Sequence, residues 1–300
     1  MMQRKYWNRS FALFTSVMLL VGVLFAENAH HVSYATMKVD ARALGMGGAY
    51  TGAAEGVAAT YYNPAGLALM EGVEVNSMIS TDLAFDRSYN FAGVGSELGI
   101  GAFAISWISA KTGGFPRYDG AQNYLGQFDV KENNVMFSYG GYYEKLDIYG
   151  GATLKIYSSS IDGDNEKSGY GLDIGGLYQI DDMIQVGVAV KDLYTEIDSE
   201  TIEPMFNVGI AARLNDHFMS TLDAGYNLGV ESEINYAGGI EYVLNYRDIV
   251  KVAPRIGLSG SDVHFGLGVN VDFVTVNYAF IPKPNDDFHD SNRFSVIVRF

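Results

Sequence analysis

The sequence lacks cysteine, and after residue 26 it lacks any long apolar run. Without thiols the chain can form no disulfide and no thiol nucleophile, and it has no cysteine to carry a lipid anchor. A membrane helix needs roughly 20 apolar residues, so a membrane location for the rest of the chain requires a barrel of strands. Basic residues are also scarce, since the chain has 20 Lys and Arg but 35 Asp and Glu. With no local basic cluster, nucleic acid is excluded as a partner.

Residues 1–26 have the pattern of a secretory signal peptide. Three basic residues precede an apolar run at residues 11–25, and Ala26 supplies a small residue for cleavage. An uncleaved anchor is the alternative, but no basic stop-transfer sequence follows the run. We therefore expect an exported protein whose mature chain begins near Glu27.

The composition and the hydrophobic pattern favour strands. The chain has only 6 Pro but 21 Tyr and 17 Phe, and from Gly72 onward apolar residues alternate with polar or small ones. In "DIYGGATLKIY", Leu154 and Ile156 fall on one face, whereas Thr153 and Lys155 fall on the other. A soluble antiparallel sheet alternates in the same way, so this pattern alone does not choose between a sandwich and a membrane barrel.

Loop lengths favour the barrel. Turn residues divide the pattern into about fourteen strands, an even number as in bacterial barrels. The predicted strands span residues 73–85, 88–96, 98–109, 130–143, 145–158, 168–180, 183–193, 204–214, 218–229, 234–246, 251–260, 263–271, 273–283 and 293–300. The four longest connections follow odd-numbered strands and so share one end, as outer loops do in such barrels. These connections are residues 110–129, 159–167, 194–203 and 284–292.

The chain ends in an alternating segment, "RFSVIVRF", that places Phe294, Val296, Val298 and Phe300 on one face. This ending resembles the signal by which the barrel-assembly machinery recognises outer-membrane barrels, with Phe300 as the terminal aromatic residue. The alternative is an edge strand of a soluble sheet, whose exposed edge would promote aggregation. The combined prediction is an all-β fold, a transmembrane antiparallel barrel at residues 73–300. We expect it in lipid contact in the outer membrane of a diderm (Gram-negative-type) bacterium.

The polar face of the predicted strands faces the lumen and carries many small residues, which leave room for a plug, a ligand or water. These small residues are Gly151, Gly175, Gly187, Ala189, Gly209, Ala211, Gly225, Gly239 and Gly257. Charged residues on the same face carry both signs, so we expect them to pair with one another. They are Asp147, Lys155, Asp173, Lys191, Arg213, Asp223, Glu241 and Arg255.

The segment before the first strand supplies a plug. It contains "LGMGGAYTGAAEGVAATYYNPAGLA", whose glycines permit sharp turns and whose proline fixes the backbone after an asparagine. We therefore expect residues 27–72 to fold into the lumen as a compact hatch. The residues of this hatch motif are Gly45, Gly47, Gly48, Asn63, Pro64 and Ala65.

The hatch motif resembles the N-terminal signature of FadL-like outer-membrane proteins, which include long-chain fatty acid transporters and PorV/PorQ-type proteins. The resemblance covers about thirty residues and implies a fourteen-strand barrel with a hatch. For the transporters it implies passive passage of hydrophobic or amphipathic molecules, which leave sideways into the bilayer beside a kinked strand. For the PorV type it implies an outer-membrane component of a protein secretion apparatus. The family often has an acidic pair before Asn-Pro-Ala, whereas here Glu55 is followed by Gly56.

One predicted loop, "AKTGGFPRYDGAQNYLGQFD", combines aromatic and basic residues. Its aromatic side chains would contact an acyl chain and its cations the carboxylate. The alternative is that they form an aromatic girdle or pack within the loop. The candidate ligand-binding residues are Lys111, Phe115, Arg117, Tyr118, Tyr124 and Phe128.

No motif predicts a catalytic site, a metal site or a cofactor. "DGDNEKSGYGLD" spaces Asp162, Asp164, Glu166 and Asp173 like a calcium loop, but Lys167 stands where that loop needs glycine. The histidines are not spaced as metal ligands, and no Gly-x-Ser-x-Gly elbow is present. The sequence therefore predicts a protein that is not an enzyme and leaves two functions open: transport, or a structural role in secretion.

Overall fold

The computed structural model describes residues 37–81, 87–162, 164–197, 200–228, 234–246, 249–282 and 290–300. The predicted signal peptide at residues 1–26 and the first part of the predicted hatch, residues 27–36, lie outside the described residues. Most of the predicted loop at residues 284–292 lies outside them as well.

In the described residues, two short α-helices and one 3₁₀-helix precede seventeen strand segments. The helices are α1 (Ala41–Gly45), α2 (Ala59–Tyr62) and the 3₁₀-helix (Pro64–Leu69). The strand segments are β1 (Val73–Thr81), β2 (Ser88–Glu97), β3 (Ala102–Tyr118), β4 (Tyr124–Tyr143), β5 (Ile148–Ile161), β6 (Asp164–Gln179), β7 (Ile184–Lys191), β8 (Thr195–Ile197), β9 (Glu200–Ile202), β10 (Met205–Asn215), β11 (Phe218–Asn227), β12 (Ile234–Tyr242), β13 (Leu244–Tyr246), β14 (Val250–Ser259), β15 (Asp262–Val271), β16 (Val274–Ile281) and β17 (Ser291–Arg299).

The strand segments form one closed antiparallel sheet. The wall strands pair with their neighbours along the chain, and β1 closes the barrel by pairing with β17. β12 and β13 are two parts of one wall strand, since both pair with β14 on either side of Val243. β8 and β9 form a small hairpin inside the predicted loop at residues 194–203, and β7 pairs directly with β10. The wall therefore has fourteen strands, which confirms the predicted barrel.

The outer face of the wall is apolar. Leu154 and Ile156 of β5 are exposed, whereas the alternating residues Thr153 and Lys155 are buried. Other strands repeat this pattern, and exposed side chains of the outer face include Phe103, Ile105, Trp107, Val208, Ile210, Leu222, Phe294 and Val296. Soluble proteins rarely expose such an extended apolar surface, and the described residues contain only one sheet, so lipid must cover it. The barrel is therefore a transmembrane barrel.

The two ends of the barrel differ. Tight turns at residues 143–148, 179–184 and 215–218 share one end with the barrel's first and last residues, Val73 and Phe300. Those two residues exchange backbone hydrogen bonds of 3.1 and 2.9 Å. We call this end the turn end and the opposite one the loop end.

Two of the long loops predicted at the loop end are mostly strand. β3 and β4 occupy most of residues 110–129 and form a hairpin that extends beyond the neighbouring strands, while β5 and β6 occupy most of residues 159–167. These loop predictions were wrong because a bulge interrupts the alternation. The β3–β4 register shifts between Thr112 and Phe115, beside Gly114, whose φ is 77°.

The described part of the hatch, residues 37–72, lies inside the barrel. α1 packs against β14 to β17, and the 3₁₀-helix packs against β3 to β6. Most hatch side chains between Val39 and Met70 are buried. No helix in the described residues has the length and apolar character needed to cross a membrane. The hatch occupies the lumen, as its small residues predicted.

Candidate functional site

The hatch begins with a short helix that one carboxylate attaches to the wall. Oδ1 of Asp40 accepts the backbone N–H groups of Arg42 at 2.8 Å and Ala43 at 3.2 Å. Its Oδ2 accepts the side-chain amide of Asn76 in β1 at 2.8 Å. An aspartate before a helix satisfies N–H groups that the helix leaves without partners. The same side chain therefore starts α1 and fixes it to the barrel.

Glycine lets the hatch backbone approach the wall backbone directly. A Cβ on Gly47, whose φ is 71°, would lie 2.2 Å from the carbonyl oxygen of Leu258 in β14. A Cβ on Gly187 in β7 would lie 2.2 Å from the carbonyl oxygen of Thr51 in the hatch. Both positions therefore exclude any larger residue. Small lumen residues thus form the surface against which the hatch packs.

Two further glycines of the hatch motif have different neighbours. Gly45 packs against Gly266 of β15, where an added Cβ would lie 2.9 Å from Cα. The space beside Gly48 is filled by the side chain of Lys38. Nζ of Lys38 then donates to the carbonyl oxygen of Gly47 at 3.0 Å and lies 3.5 Å from the Ser259 hydroxyl. Lys38 therefore connects the glycine turn of the hatch to the loop end of β14.

The Asn-Pro-Ala triplet holds the middle of the hatch. Nδ2 of Asn63 donates to the carbonyl oxygens of Thr51, at 3.0 Å, and Gly176 of β6, at 3.1 Å. Its Oδ1 accepts the backbone N–H of Ala65 at 3.2 Å, and Pro64 starts the 3₁₀-helix. One fully buried amide therefore joins two parts of the hatch to each other and to the wall.

An ionic cluster ties the hatch to the wall at the turn end. Arg42 of α1 donates to both carboxylate oxygens of Glu241, at 3.0 and 2.9 Å, and also to the hatch carboxylate of Glu55. Glu241 accepts Nε of Arg255 at 2.5 Å, and Arg213 Nη2 lies 3.6 Å from Glu55. The turn-end arginine cluster comprises Arg42, Arg213, Arg255, Arg299, Glu55, Glu74 and Glu241.

The charge state of Glu55 follows from this cluster. Burial alone would raise the pKa of the Glu55 carboxyl, but the guanidinium groups of Arg42 and Arg213 lower it below its ordinary value. The carboxylate is therefore ionised at neutral pH and available for ion pairing.

A second ionic group lies in the wall and forms around Lys155. Its Nζ is 2.7 Å from Oδ1 of Asp173 and 2.9 Å from Oδ1 of Asp192. The Tyr157 hydroxyl also donates to Asp192, at 2.8 Å. Asp192 follows β7 with a φ of 54°, so the alternation of the strand gave no signal for it. The prediction that lumen charges pair with one another is confirmed for Lys155 and Asp173.

One residue predicted to face the lumen does not. Asp147 lies in the turn between β4 and β5, with a φ of 56°, and accepts the Tyr142 hydroxyl at 2.7 Å. Aspartate tolerates this left-handed conformation better than most residues, which explains its place in the turn.

A cavity of about 410 Å³ lies on the loop-end side of the hatch. The hatch contributes Lys38, Gly48, Thr51, Tyr61 and Tyr62 to its lining, and the loop-end parts of β7, β10, β11, β12 and β14 contribute the remainder together with Gly260. Polar wall residues of the lining include Lys191, Asn207, Asp223, Asn227, Asn235 and Ser259. Its size suits a small ligand or the head of a larger one.

The two ammonium groups of the cavity have no ion pair among the described residues. Nζ of Lys191 instead lies 3.5 Å from the centre of the Tyr61 ring, a cation–π contact with the hatch. Lys38 donates to the hatch backbone, as described above. Asp223, on the same lining, accepts the backbone N–H groups of Tyr50 and Thr51 at 2.9 and 2.8 Å. Neither ammonium group is within ion-pair distance of a carboxylate in the described residues, although the charge of Asp223 acts on Lys38 and those of Asp173 and Asp192 act on Lys191.

The candidate ligand-binding residues predicted from sequence lie elsewhere, on the β3–β4 hairpin. Its cations are paired with carboxylates: Lys111 Nζ is 2.7 Å from Asp129, and Arg117 contacts Asp162. The rings of Phe115 and Phe128 stack at 5.3 Å between centroids, and those of Tyr118 and Tyr124 meet edge to face at 5.9 Å. None of the six predicted residues lines the cavity, so their role in ligand binding stays a prediction.

The acidic residues weighed as a calcium loop do not converge in the described residues. Asp162 lies at the loop end, where its Oδ1 accepts the backbone N–H of Asp129 at 3.0 Å. Asp173 lies in the lumen with Lys155. These two carboxylates therefore have separate structural roles.

No family model matches the sequence, and a search of curated proteins finds no match. Solved structures do resemble the barrel. The toluene transporter TbuX of Ralstonia pickettii aligns with a TM-score of 0.64 and 15% identity over 87% of this chain and 98% of that one. The monoaromatic hydrocarbon channel CymD aligns with a TM-score of 0.63 and 13% identity over 87% of this chain and 97% of that one. A Pseudomonas aeruginosa FadL homologue aligns with a TM-score of 0.58 and 9% identity over 88% of this chain and 99% of that one.

The fold is that of the FadL-like channels. Fourteen antiparallel strands around an internal N-terminal segment are the architecture that the sequence resemblance to this superfamily implied. The predicted outer-membrane location is supported by the shared fold and by the apolar outer face of the FadL-like barrel. At these identities the shared fold does not carry a ligand with it, so the chemistry of the lumen must supply the functional argument.

Proposed function

We propose that the protein is a passive outer-membrane conduit for amphipathic molecules that carry an anionic head, such as long-chain fatty acids. The observation that carries this proposal is the cavity on the loop-end side of the hatch, where the ammonium groups of Lys38 and Lys191 lie beyond ion-pair distance of any carboxylate in the described residues. An anionic head would form charge-assisted hydrogen bonds with them. The apolar tail would extend toward the loop end.

The polar lining argues against a purely apolar cargo. TbuX is described as a toluene transporter and CymD as a monoaromatic hydrocarbon channel. A hydrocarbon in this cavity would remove water from two lysines, Asp223 and three asparagines without replacing their hydrogen bonds. Each such loss costs about 1–3 kcal/mol. A cargo with a charged head avoids that cost, which is why we assign amphipathic anions.

The test compares octanoate with octanol, which have similar tails but different heads. Both are titrated calorimetrically into the purified barrel in lipid nanodiscs. We expect octanoate to bind at least about tenfold more tightly than octanol, because each ammonium contributes roughly 1.5–3 kcal/mol to a charged partner.

The variants Lys38→Met and Lys191→Met should each weaken octanoate binding and leave octanol binding unchanged. Lys145→Met, in an exposed turn at the turn end, is the matched control. Lys111→Met tests whether the β3–β4 hairpin forms a separate capture site. Equal affinity for the two ligands, or octanoate binding that survives both cavity substitutions, would contradict the proposal.

A second candidate function is an outer-membrane component of a protein secretion apparatus. It is favoured by the β3–β4 hairpin, which extends beyond its neighbours and exposes Tyr118, Tyr124 and Leu125. Exposed apolar residues at a loop tip commonly mark a protein contact. Copurification of a large partner with the intact barrel, lost on replacing the two tyrosines by serine, would support this role. Retention of the partner by that variant would argue against the hairpin as its binding site.

A further inference from the structure

The carboxylate of Glu55 lies among guanidinium groups at the turn end. The hatch contributes Glu55 and Arg42, which contact each other directly. The wall contributes Arg213, whose Nη2 is 3.6 Å from Oε2 of Glu55, and Arg299, whose charge acts on the same carboxylate. The hatch thus places its own anion in a site built partly by the wall.

This internal anion satisfies the site only in part. A separation of 3.6 Å is longer than a hydrogen bond, and among the described residues Arg213 has no other ion pair. A guanidinium group presents five N–H donors and binds a carboxylate best through two parallel bonds. Arg213 therefore retains donors that a free carboxylate can use more fully than Glu55 does.

The site is accessible from the turn end. Arg213 precedes the β10–β11 turn by two residues, and Arg299 is the penultimate residue of the chain. Their side chains are 38% and 49% exposed, and that of Glu55 is 28% exposed. The cavity with Lys38 and Lys191 opens on the other side of the hatch. Two cationic sites therefore lie on opposite sides of the hatch.

Two of the three glutamates in the turn-end arginine cluster have fixed partners in the wall, and the carboxylate of Asp40 also acts on the cluster through Arg255. Glu74 accepts Arg299 at 2.8 Å and the backbone N–H of Val57 at 2.7 Å, while Glu241 is held by Arg255. Glu55 is the remaining carboxylate, and it belongs to the part of the chain that has to move if the lumen is to open.

We infer that the turn-end arginine cluster is a second binding site for the carboxylate head of the cargo, and that Glu55 occupies it as a tethered substitute while the hatch is closed. An arriving carboxylate replaces Glu55 at Arg213, which removes the attraction between this hatch carboxylate and the wall. The inference rests on the proposed function for the identity of the cargo only.

The tether sets the order of events. Glu55 is attached to the hatch, so its effective concentration at the arginines is high and a dilute free anion does not displace it. Only a carboxylate that is present at a high local concentration on the turn-end side displaces Glu55, and the hatch is loosened after that displacement.

The absence of cysteine from the chain provides a direct assay of hatch movement. Ser106 of β3 is 1% exposed, and its hydroxyl lies 2.8 Å from that of Thr60 in the hatch. A Ser106→Cys barrel, in nanodiscs open on both sides, is labelled with a maleimide, and the labelling rate measures how often the hatch uncovers the thiol. Heat-modifiable migration on gels shows in each case that the barrel is folded.

Octanoate should accelerate labelling of the Ser106→Cys barrel, whereas octanol should not. Acetate, which has the same head without a tail, distinguishes a free small anion from an amphipathic cargo and should act only at higher concentration. Adding Glu55→Gln should raise the labelling rate without octanoate by up to about fivefold, because the hatch loses the attraction of this carboxylate to Arg213 and Arg299 of the wall. Glu71→Gln, an exposed carboxylate outside the cluster, is the matched control and should change nothing.

Arg213→Gln tests the site with little risk to folding, because the Arg213 side chain is partly exposed and, in the described residues, its one ion pair is with Glu55. It should raise the labelling rate without octanoate about as much as Glu55→Gln does, because the same contact is lost, and it should remove most of the octanoate effect. Unchanged labelling in Glu55→Gln, or an octanoate effect that persists in Arg213→Gln, would overturn the inference. The Lys191→Met calorimetry tests the proposed function. Its outcome does not affect the labelling result, so the two proposals can fail separately.

Discussion

Replacing Asn63 with leucine should release the hatch while leaving the barrel folded. The buried amide makes three hydrogen bonds: to the carbonyl oxygens of Thr51 and Gly176 and from the backbone N–H of Ala65. Leucine has a similar size but no polar atom, so these three backbone groups lose their side-chain partner in a buried site. We expect a cost of about 3–5 kcal/mol for the closed state, since each buried unsatisfied group costs about 1–3 kcal/mol.

The cost falls on hatch closure rather than on the barrel as a whole. The wall strands keep their ladder hydrogen bonds when the hatch leaves, because those bonds join one wall strand to the next. A difference of 3–5 kcal/mol corresponds to roughly two to four orders of magnitude in the open population. The maleimide labelling rate of the Ser106→Cys barrel should rise by the same factor.

The control for this experiment is Asn245→Leu. Asn245 lies on β13 and is exposed, so the same chemical change occurs without burial. Its labelling rate should match that of the parent barrel. If Asn63→Leu, with heat-modifiable migration intact, labels no faster than this control, then Asn63 does not hold the hatch and the reasoning fails.

Three further predictions test other contacts. Gly187→Ala should displace the hatch turn at Thr51 and accelerate labelling, whereas Gly120→Ala, in open space at the loop end, should not; equal rates would refute the close-approach argument. Lys155→Met should lower the free energy of unfolding in urea by roughly 3–5 kcal/mol, because it leaves two buried aspartates without their cation; a change below about 1 kcal/mol would refute it. Phe300→Ala should lower the amount of barrel assembled in cells but not the stability of refolded barrel, because Phe300 is 75% exposed; equal assembly would argue against recognition of Phe300 by the assembly machinery.

The sequence was sufficient to predict the wall because one physical rule governs every wall strand. A strand between lipid and lumen must alternate, and Leu154 and Ile156 point outward while Thr153 and Lys155 point inward. The rule fails where a bulge adds residues to one strand. Gly114, in the β3–β4 hairpin, occupies such a place, and there the predicted loop is a strand.

The contacts of the candidate site were less predictable, because they join residues distant in sequence. Alternation placed Lys191 on the lumen face, but the ring beneath its ammonium group belongs to Tyr61 of the hatch. Lys38 precedes the hatch motif, and nothing in its sequence neighbourhood indicates that it fills the space beside Gly48. These contacts depend on how the hatch is oriented within the barrel, which no periodic pattern encodes.

The departure from the family signature at Gly56 has a structural explanation. The signature often has a second acidic residue there, whereas this chain has glycine with a φ of 61°. A Cβ at Gly56 would lie 2.5 Å from the carboxylate oxygens of Glu74. Glu74 accepts the N–H of Val57 from the wall side, so β1 supplies a carboxylate next to the position where the hatch lacks one. A second acidic side chain at position 56 would meet both a steric clash and a like charge.

Two kinds of contact hold the hatch closed. Buried apolar side chains join hatch residues such as Leu67 and Met70 to wall residues such as Ile108 and Met136. Polar contacts are added by the amide of Asn63, the lysines at the loop-end side and the arginines at the turn end. Anionic groups compete directly for the lysines and arginines but not for an apolar interface. A hatch attached in this way remains closed in the absence of cargo and is sensitive to the charge of the cargo itself.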